Sequence, residues 1–229
     1  MFQITLPVVL NFSKGEVLKP VWIPLDMRFG MADRFELFIS HNALGKPLAV
    51  GQGGPCLGKV QSCPKSYNNL NIGGQYSLAR IGPVELSGFL AAEFKQFSPD
   101  TLFAIDVGVG VKYVASIFSV KATPRFGVGA YKRGPGNEEG VGVPIQIALQ
   151  ASPRLAPFID TGIFGMFGSS NRFSDTYEVP LGVGVDFLAT HGFDVGAEFM
   201  FPTLGHGSTI AGKATDSRTL MLYMAWRFQ

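Results

Sequence analysis

Charged side chains recur at alternate positions within otherwise apolar segments. Asp106 and Lys112 stand in Phe103–Tyr113, where every odd position is large and apolar. In an extended strand such charges share one face, and around a water-filled space they would attract or repel passing ions. Alternation predicts ten acids and six bases on this face: Asp26, Arg28, Glu36, Glu85, Glu93, Lys95, Asp106, Lys112, Lys121, Arg125, Asp160, Glu178, Asp186, Asp194, Glu198 and Arg227.

These charges have two interpretations. Charges isolated in a dry space are very costly, so they must be paired or hydrated. Paired, they form a salt-bridge network that fills and stiffens the interior. Hydrated, they line a pore in which the excess of acids favours cations mildly. Glycines at inward positions, such as Gly108 and Gly182, leave room for either arrangement.

The histidines could serve hydrolysis, which requires a Ser–His pair or a metal-assisted site. His41, with a loop serine such as Ser66 or Ser208, is the candidate, although no spacing supports it. His191 and His206 fall in other connections, so no metal site is predicted.

A glycine-rich segment contains the two cysteines. Gly53–Val60 nearly matches a phosphate-binding loop, but Val60 replaces the required hydroxyl residue and no strand-to-helix context surrounds it. No nucleotide and no other cofactor is therefore predicted. Cys56 and Cys63 lie seven residues apart in a loop-like stretch, which predicts a disulfide in an oxidising compartment; two free thiols are the alternative.

An alternation with a period of two runs through almost the whole chain and indicates strands, with no convincing amphipathic helix. Twelve strands are predicted, at about 2–12, 16–31, 34–42, 69–79, 84–97, 101–114, 117–131, 140–151, 155–167, 177–189, 193–203 and 218–229. Short connections alternate with mostly longer ones, such as 45–68. This pattern is typical of an all-β, up-and-down antiparallel barrel of one domain over 1–229, with one tight rim near both termini. Ten strands would follow if 2–12 or 69–79 failed to pair.

Composition narrows the class of protein. Charged residues are 16% of the chain, against about 25% in a typical soluble domain, and apolar residues are 46%. The formal net charge of +2 gives no basic footprint, which argues against a nucleic-acid partner. Charge-free stretches reach only about 14 residues, short of the roughly 20 that a membrane-spanning helix needs.

The aromatic residues help to decide which barrel face is outermost. In a soluble barrel the apolar face points inward, whereas in a membrane barrel it meets lipid. Tyr177 and Phe187 lie ten residues apart on one face, a span of about 23 Å on a tilted strand, close to the ~25 Å apolar band. Membrane barrels carry aromatic girdles at both interfaces. The predicted girdle comprises Phe29, Phe35, Phe103, Tyr113, Phe118, Tyr177, Phe187, Phe193, Trp226 and Phe228.

The last segment carries a resemblance to a known superfamily. Leu220, Leu222, Met224, Trp226 and Phe228 alternate, and this resembles the C-terminal strand of bacterial outer-membrane β-barrel proteins, which typically ends in an aromatic residue. Here the aromatic residue is penultimate. The resemblance implies the outer membrane of a Gram-negative bacterium, with periplasmic tight turns and extracellular long loops. The N-terminus lacks a basic region and a cleavage site, so we expect a mature chain without its signal peptide.

Three functions follow as hypotheses. The first is a small passive channel for ions or small hydrophilic solutes, which is not an enzyme. The second is a non-conducting barrel that anchors an envelope-spanning motility, adhesion or secretion complex. The third is an outer-membrane lipid hydrolase. Expected partners are outer-membrane lipid and lipopolysaccharide, with other envelope proteins binding through loop 45–68.

Overall fold

A computed structural model describes most of the chain. The described ranges are residues 1–15, 18–50, 53–58, 63, 67–97, 100–134, 136–168, 172–210 and 212–228. Ser66, one of the candidate nucleophiles, and Val60 of the glycine-rich segment lie outside them.

Fifteen strands form one closed antiparallel barrel with twelve wall positions. The strands are β1 Phe2–Asn11, β2 Val21–Trp22, β3 Asp26–Ala32, β4 Phe35–Ser40, β5 Gly54–Leu57, β6 Tyr67–Ile81, β7 Val84–Gln96, β8 Leu102–Ala115, β9 Phe118–Ala122, β10 Arg125–Tyr131, β11 Glu139–Leu149, β12 Leu155–Phe167, β13 Glu178–Thr190, β14 Phe193–His206 and β15 Thr219–Phe228. Three pairs, β2 with β3, β4 with β5, and β9 with β10, each fill one position. The ring closes between β1 and β15, from Phe2 opposite Phe228 to Asn11 opposite Thr219.

The predicted barrel of about twelve strands is confirmed, and two of its strands are interrupted. Pro24 separates β2 from β3, and Pro124 separates β9 from β10. Proline has no N–H to donate to the neighbouring strand, so pairing weakens where it stands. Pro180 lies at a register shift between β13 and β14 for the same reason.

The side-chain distribution is inverted relative to a soluble protein. On β8, Val107 is 50% exposed on the outer wall, whereas the neighbouring Asp106 is fully buried inside. The apolar face is therefore the outer one, as a membrane barrel requires. None of the helical segments in the described part of the chain has the length and apolar character needed to cross a membrane.

Aromatic rings cluster at both ends of the wall. At the tight-turn end, Phe2 stacks between Phe29 and Phe228, with ring centroids 4.8 and 5.7 Å away. At the long-loop end, Phe94 and Phe103 lie 5.2 Å apart. The other predicted girdle residues near the tight turns are Phe35, Tyr113, Phe118, Phe187, Phe193 and Trp226. Tyr177 precedes β13 rather than belonging to it, and it stacks on Phe173 of the one-turn helix α1, Phe173–Thr176.

Candidate functional site: a lumen divided by an inward-folded segment

The chain leaves the wall after β4 and folds into the barrel before returning at β5. Two 3₁₀ turns, Ala43–Gly45 and Leu48–Val50, make up this inward segment, which we define as residues 43–50. The first turn contacts β7, β10 and β11, and the second contacts β1, β14 and β15. The inward segment therefore crosses the lumen from one side of the wall to the other.

Glycines in the wall make room for the first turn. Leu44 is buried, and a Cβ at Gly127 or Gly140 would lie only 2.9 Å from its methyl groups. The backbone N–H of Leu44 donates to Glu93 Oε1 at 3.1 Å. Gly45 has a φ of +66° and faces the Arg125 guanidinium so closely that a Cβ there would collide with it.

The second turn is fixed by apolar packing. Ala49 and Val50 are buried in a cluster with Val9, Met200 and Met221. This cluster gives the barrel an apolar core, and Phe38, Phe89 and Ala91 form a second buried apolar cluster. The Thr219 hydroxyl adds a hydrogen bond, which it donates to the carbonyl oxygen of Ala49.

Lys46 lies between these two anchors. Its Nζ is 2.5 Å from Glu178 Oε2, and both side chains are largely buried. Lys46 lines cavities on both sides of the inward segment, so it stands at the narrow point between them.

The cavity on the long-loop side, which we call the vestibule, has a volume of about 510 Å³. Three of the predicted lumen charges line it, namely Glu93, Lys95 and Glu178. Cys56 and Cys63 line it as well, and the disulfide predicted between them is present.

Two further cavities lie towards the tight turns. The central chamber, of about 280 Å³, begins at the inward segment. A cavity of about 400 Å³ continues to the tight-turn end and shares Thr5 and Tyr223 with the chamber. Of the predicted charges, the chamber is lined by Asp26, Arg28, Lys121, Arg125, Asp160 and Glu198, and the end cavity by Asp186, Asp194 and Arg227.

The other predicted lumen charges lie against the wall or at the rim. Glu36 lines a cavity at the β3–β4 turn. Asp106 is fully buried, with Arg125 Nη1 at 4.0 Å. Glu85 and Lys112 face each other across β7 and β8, also at 4.0 Å.

Many of the charges are already paired. Arg28 bonds both Asp26 and Glu36 at 3.0 Å. Arg227 pairs with Asp194, and the Arg125 guanidinium lies over the Phe89 ring, 4.4 Å from its centroid. Such pairing lowers the cost of holding charge in a confined space, and the neighbouring cavities leave room for water.

The structure does not bring the candidate hydrolytic residues together. His41 Nδ1 donates to the carbonyl oxygen of Leu25 at 2.7 Å, and Nε2 accepts from the Tyr67 hydroxyl at 2.6 Å. Burial lowers the pKa of His41, which suits this neutral form. Ser208 instead donates to Asp175 at 3.3 Å. Among the described residues, no three His, Cys, Asp or Glu side chains form a group that could hold a metal ion.

The inward segment is the feature that sequence reasoning missed. Residues 45–68 were predicted to form an external loop, yet part of that stretch fills the lumen. A signal was present, because Leu44, Leu48 and Val50 are apolar residues in a connection expected to meet water. Burying them in the barrel removes that apolar surface from water.

No family model and no curated protein matches the chain. Solved structures are similar in fold. NanC porin superimposes with a TM-score of 0.69 at 8% identity, over 98% of this chain and 100% of its own. KdgM porin gives 0.63 at 10% identity, over 99% of both chains. OmpT, an outer membrane protein of Vibrio cholerae, gives 0.51 at 11% identity, over 100% of this chain and 97% of its own. The fold is that of an outer-membrane β-barrel. The barrel fold that the resemblance of the last strand implied is thus confirmed.

Proposed function

We propose that this chain is a small passive channel in the outer membrane of a Gram-negative bacterium, and that the inward segment forms its constriction. The observation that carries the proposal is the series of cavities above and below that segment. The vestibule and the central chamber share Lys46, and the chamber and the end cavity share Thr5 and Tyr223. Water and small solutes would follow this route.

The wall and the likeness to porins support this proposal over the alternatives. Apolar side chains cover the outer wall, and the solved structures named above include two described as porins. The hydrolase hypothesis has less support, because hydrogen bonds occupy both ring nitrogens of His41. No contact among the described residues specifically favours an anchoring role. We therefore propose a channel that is not an enzyme.

A cysteine at the constriction tests the route. The two natural cysteines are joined to each other, so Lys46→Cys adds the one free thiol. We expect a charged thiol reagent to reduce single-channel current through this variant, because it fills the narrow point. The matched control is Lys213→Cys, at an exposed position between β14 and β15, where the current should not change.

If the reagent labels Lys46→Cys and leaves its current unchanged, the proposed route is wrong. In the same bilayer, the reversal potential in a salt gradient measures ion preference. The excess of acids on the inward face predicts a modest preference for cations.

A further inference from the structure

The central chamber contains charged side chains that form no ion pair with any described residue. Arg28, which lines the chamber, forms ion pairs with two carboxylates. Arg125 is paired with Asp106, and its guanidinium lies over the Phe89 ring. Lys121 differs, since it is exposed to the chamber and has no hydrogen bond or ion pair with any described residue.

The surroundings of Lys121 strengthen its positive field. Its charged neighbours are the cations Arg28, Lys112 and Arg125, together with Asp26 and, farther along the same row, Asp160. Asp26 is already hydrogen-bonded to Arg28 at 3.0 Å. This part of the wall therefore presents one unneutralised ammonium group among other cations.

The complementary charge lies two strands away along the same row of the wall. Lys121 on β9 is directly opposite Gln146 on β11, and Gln146 is directly opposite Asp160 on β12. Two strand spacings place the backbones of Lys121 and Asp160 about 10 Å apart. Gln146 Nε2 donates to Asp160 Oδ2 at 3.3 Å, so a neutral amide separates the two charges.

A second carboxyl group joins Asp160. Glu198 on β14 is hydrogen-bonded to it through a shared proton and also lines the chamber. Gly182 allows this approach, because a Cβ there would collide with Glu198 Oε1. Glu198 is 2% exposed, and apart from the proton shared with Asp160 no donor among the described residues reaches its Oε1. In the part of the chain that the structure describes, no cation lies within ion-pair distance of either carboxyl group.

We propose that the central chamber selects small zwitterions, such as free amino acids, and binds the carboxylate at Lys121 and the ammonium group at Asp160 and Glu198. This inference rests on the proposed channel function and names its substrate class. A zwitterion can bind Lys121 and the two carboxyl groups at the same time. A simple anion or cation is attracted by one of these sites and repelled by the other. The volume of about 280 Å³ admits a molecule of this size.

Alanine and lactamide provide a matched pair of probes, because they share one molecular formula and only alanine is a zwitterion. We would measure the entry of each labelled solute into vesicles containing the folded protein, after subtraction of protein-free vesicles. We expect alanine to be favoured over lactamide by about fivefold, which corresponds to about 1 kcal/mol. Lys121→Met and Asp160→Asn should each remove most of that preference.

Two further variants test whether the preference depends on the arrangement of the two opposite charges or on the net charge of the lumen. Lys112→Met removes a cation in the same row but outside the chamber, and it should keep the preference. The exchange Lys121→Asp with Asp160→Lys reverses the field, and because a small zwitterion can turn around, the preference should return.

Equal entry of alanine and lactamide into vesicles with the unmodified protein would overturn the inference while leaving the channel intact. Failure of the charge exchange to restore the preference would also overturn it. If neither solute enters, the proposed channel function itself fails. Lactamide entry in each variant confirms that the variant has folded.

Discussion

Whether a charged lumen is closed or filled with water depends on individual side chains. Arg28 is held by Asp26 and Glu36, and a lumen built only of such triads would act as a structural network. Lys121 breaks this rule because it faces the central chamber with no bonded carboxylate among the described residues. The difference between a stiffened barrel and a channel therefore depends on a few unpaired groups.

At the same scale, we expect His41 to make the entry to the inward segment sensitive to pH. It lies just after β4 and bonds Leu25 and Tyr67 as a neutral ring. Burial lowers its pKa below the unfolded value of about 6.5. The unfolded or opened state therefore takes up a proton first, so the stabilisation from His41 is complete above that pH and is lost as the pH falls through the folded-state pKa.

We expect amide hydrogen exchange in the inward segment to speed up below about pH 6.5, after correction for intrinsic rates. His41→Gln keeps a donor and an acceptor but does not titrate, and it should remove this extra acceleration. The same pH dependence in His41→Gln and in the parent would show that another group is responsible.

At the scale of elements, the inward segment fits into the lumen because glycines such as Gly127 and Gly140 leave room for it in the wall. Gly45 combines a positive φ with close contact to Arg125. Gly45→Ala would add backbone strain of about 1 kcal/mol together with a collision. We expect it to lower the free energy of unfolding and, by displacing the segment, to raise single-channel conductance.

Gly82→Ala is the matched control for this change. Gly82 has a similar φ of +57°, in the tight turn between β6 and β7, with nothing within 4 Å of a Cβ. Gly82→Ala should therefore add the backbone strain without a collision. Its free energy of unfolding should fall less than that of Gly45→Ala, and its conductance should stay unchanged. Equal conductance in Gly45→Ala, Gly82→Ala and the parent would show that the inward segment does not form the constriction.

The strands could be predicted because successive wall residues face the outside and the lumen alternately, which gives the sequence a period of two. Their interruptions at Pro24 and Pro124 follow from the missing N–H, although proline alone does not show whether a strand breaks or bulges. Residues 43–50 have no period, and their position depends on distant glycines such as Gly127 and Gly140. The contact of Glu198 with Asp160 depends in the same way on Gly182, so sequence spacing could not reveal it.

At the scale of the whole molecule, the outer wall specifies a lipid environment. Val183, in the middle of β13, is 55% exposed. Val183→Lys should destabilise the inserted barrel by about 2–4 kcal/mol if that band lies at the bilayer midplane. The fraction folded into vesicles, read from heat-modifiable gel mobility, measures the effect.

Ile117 offers a control of similar exposure, 57%, in the tight turn between β8 and β9. Ile117→Lys lies near the interface and should cost only about 0–1 kcal/mol. Equal losses at the two positions would contradict the placement of the apolar band.

The most direct test of the channel is the single-channel conductance of the folded protein in a planar bilayer. The neighbouring cavities, which share Lys46 and Tyr223 in their linings, predict stable, ohmic current steps that continue while the voltage is reversed. Protein shown by gel mobility to be folded and inserted, yet electrically silent, would contradict this account, because the inward segment and the paired charges would then close the lumen.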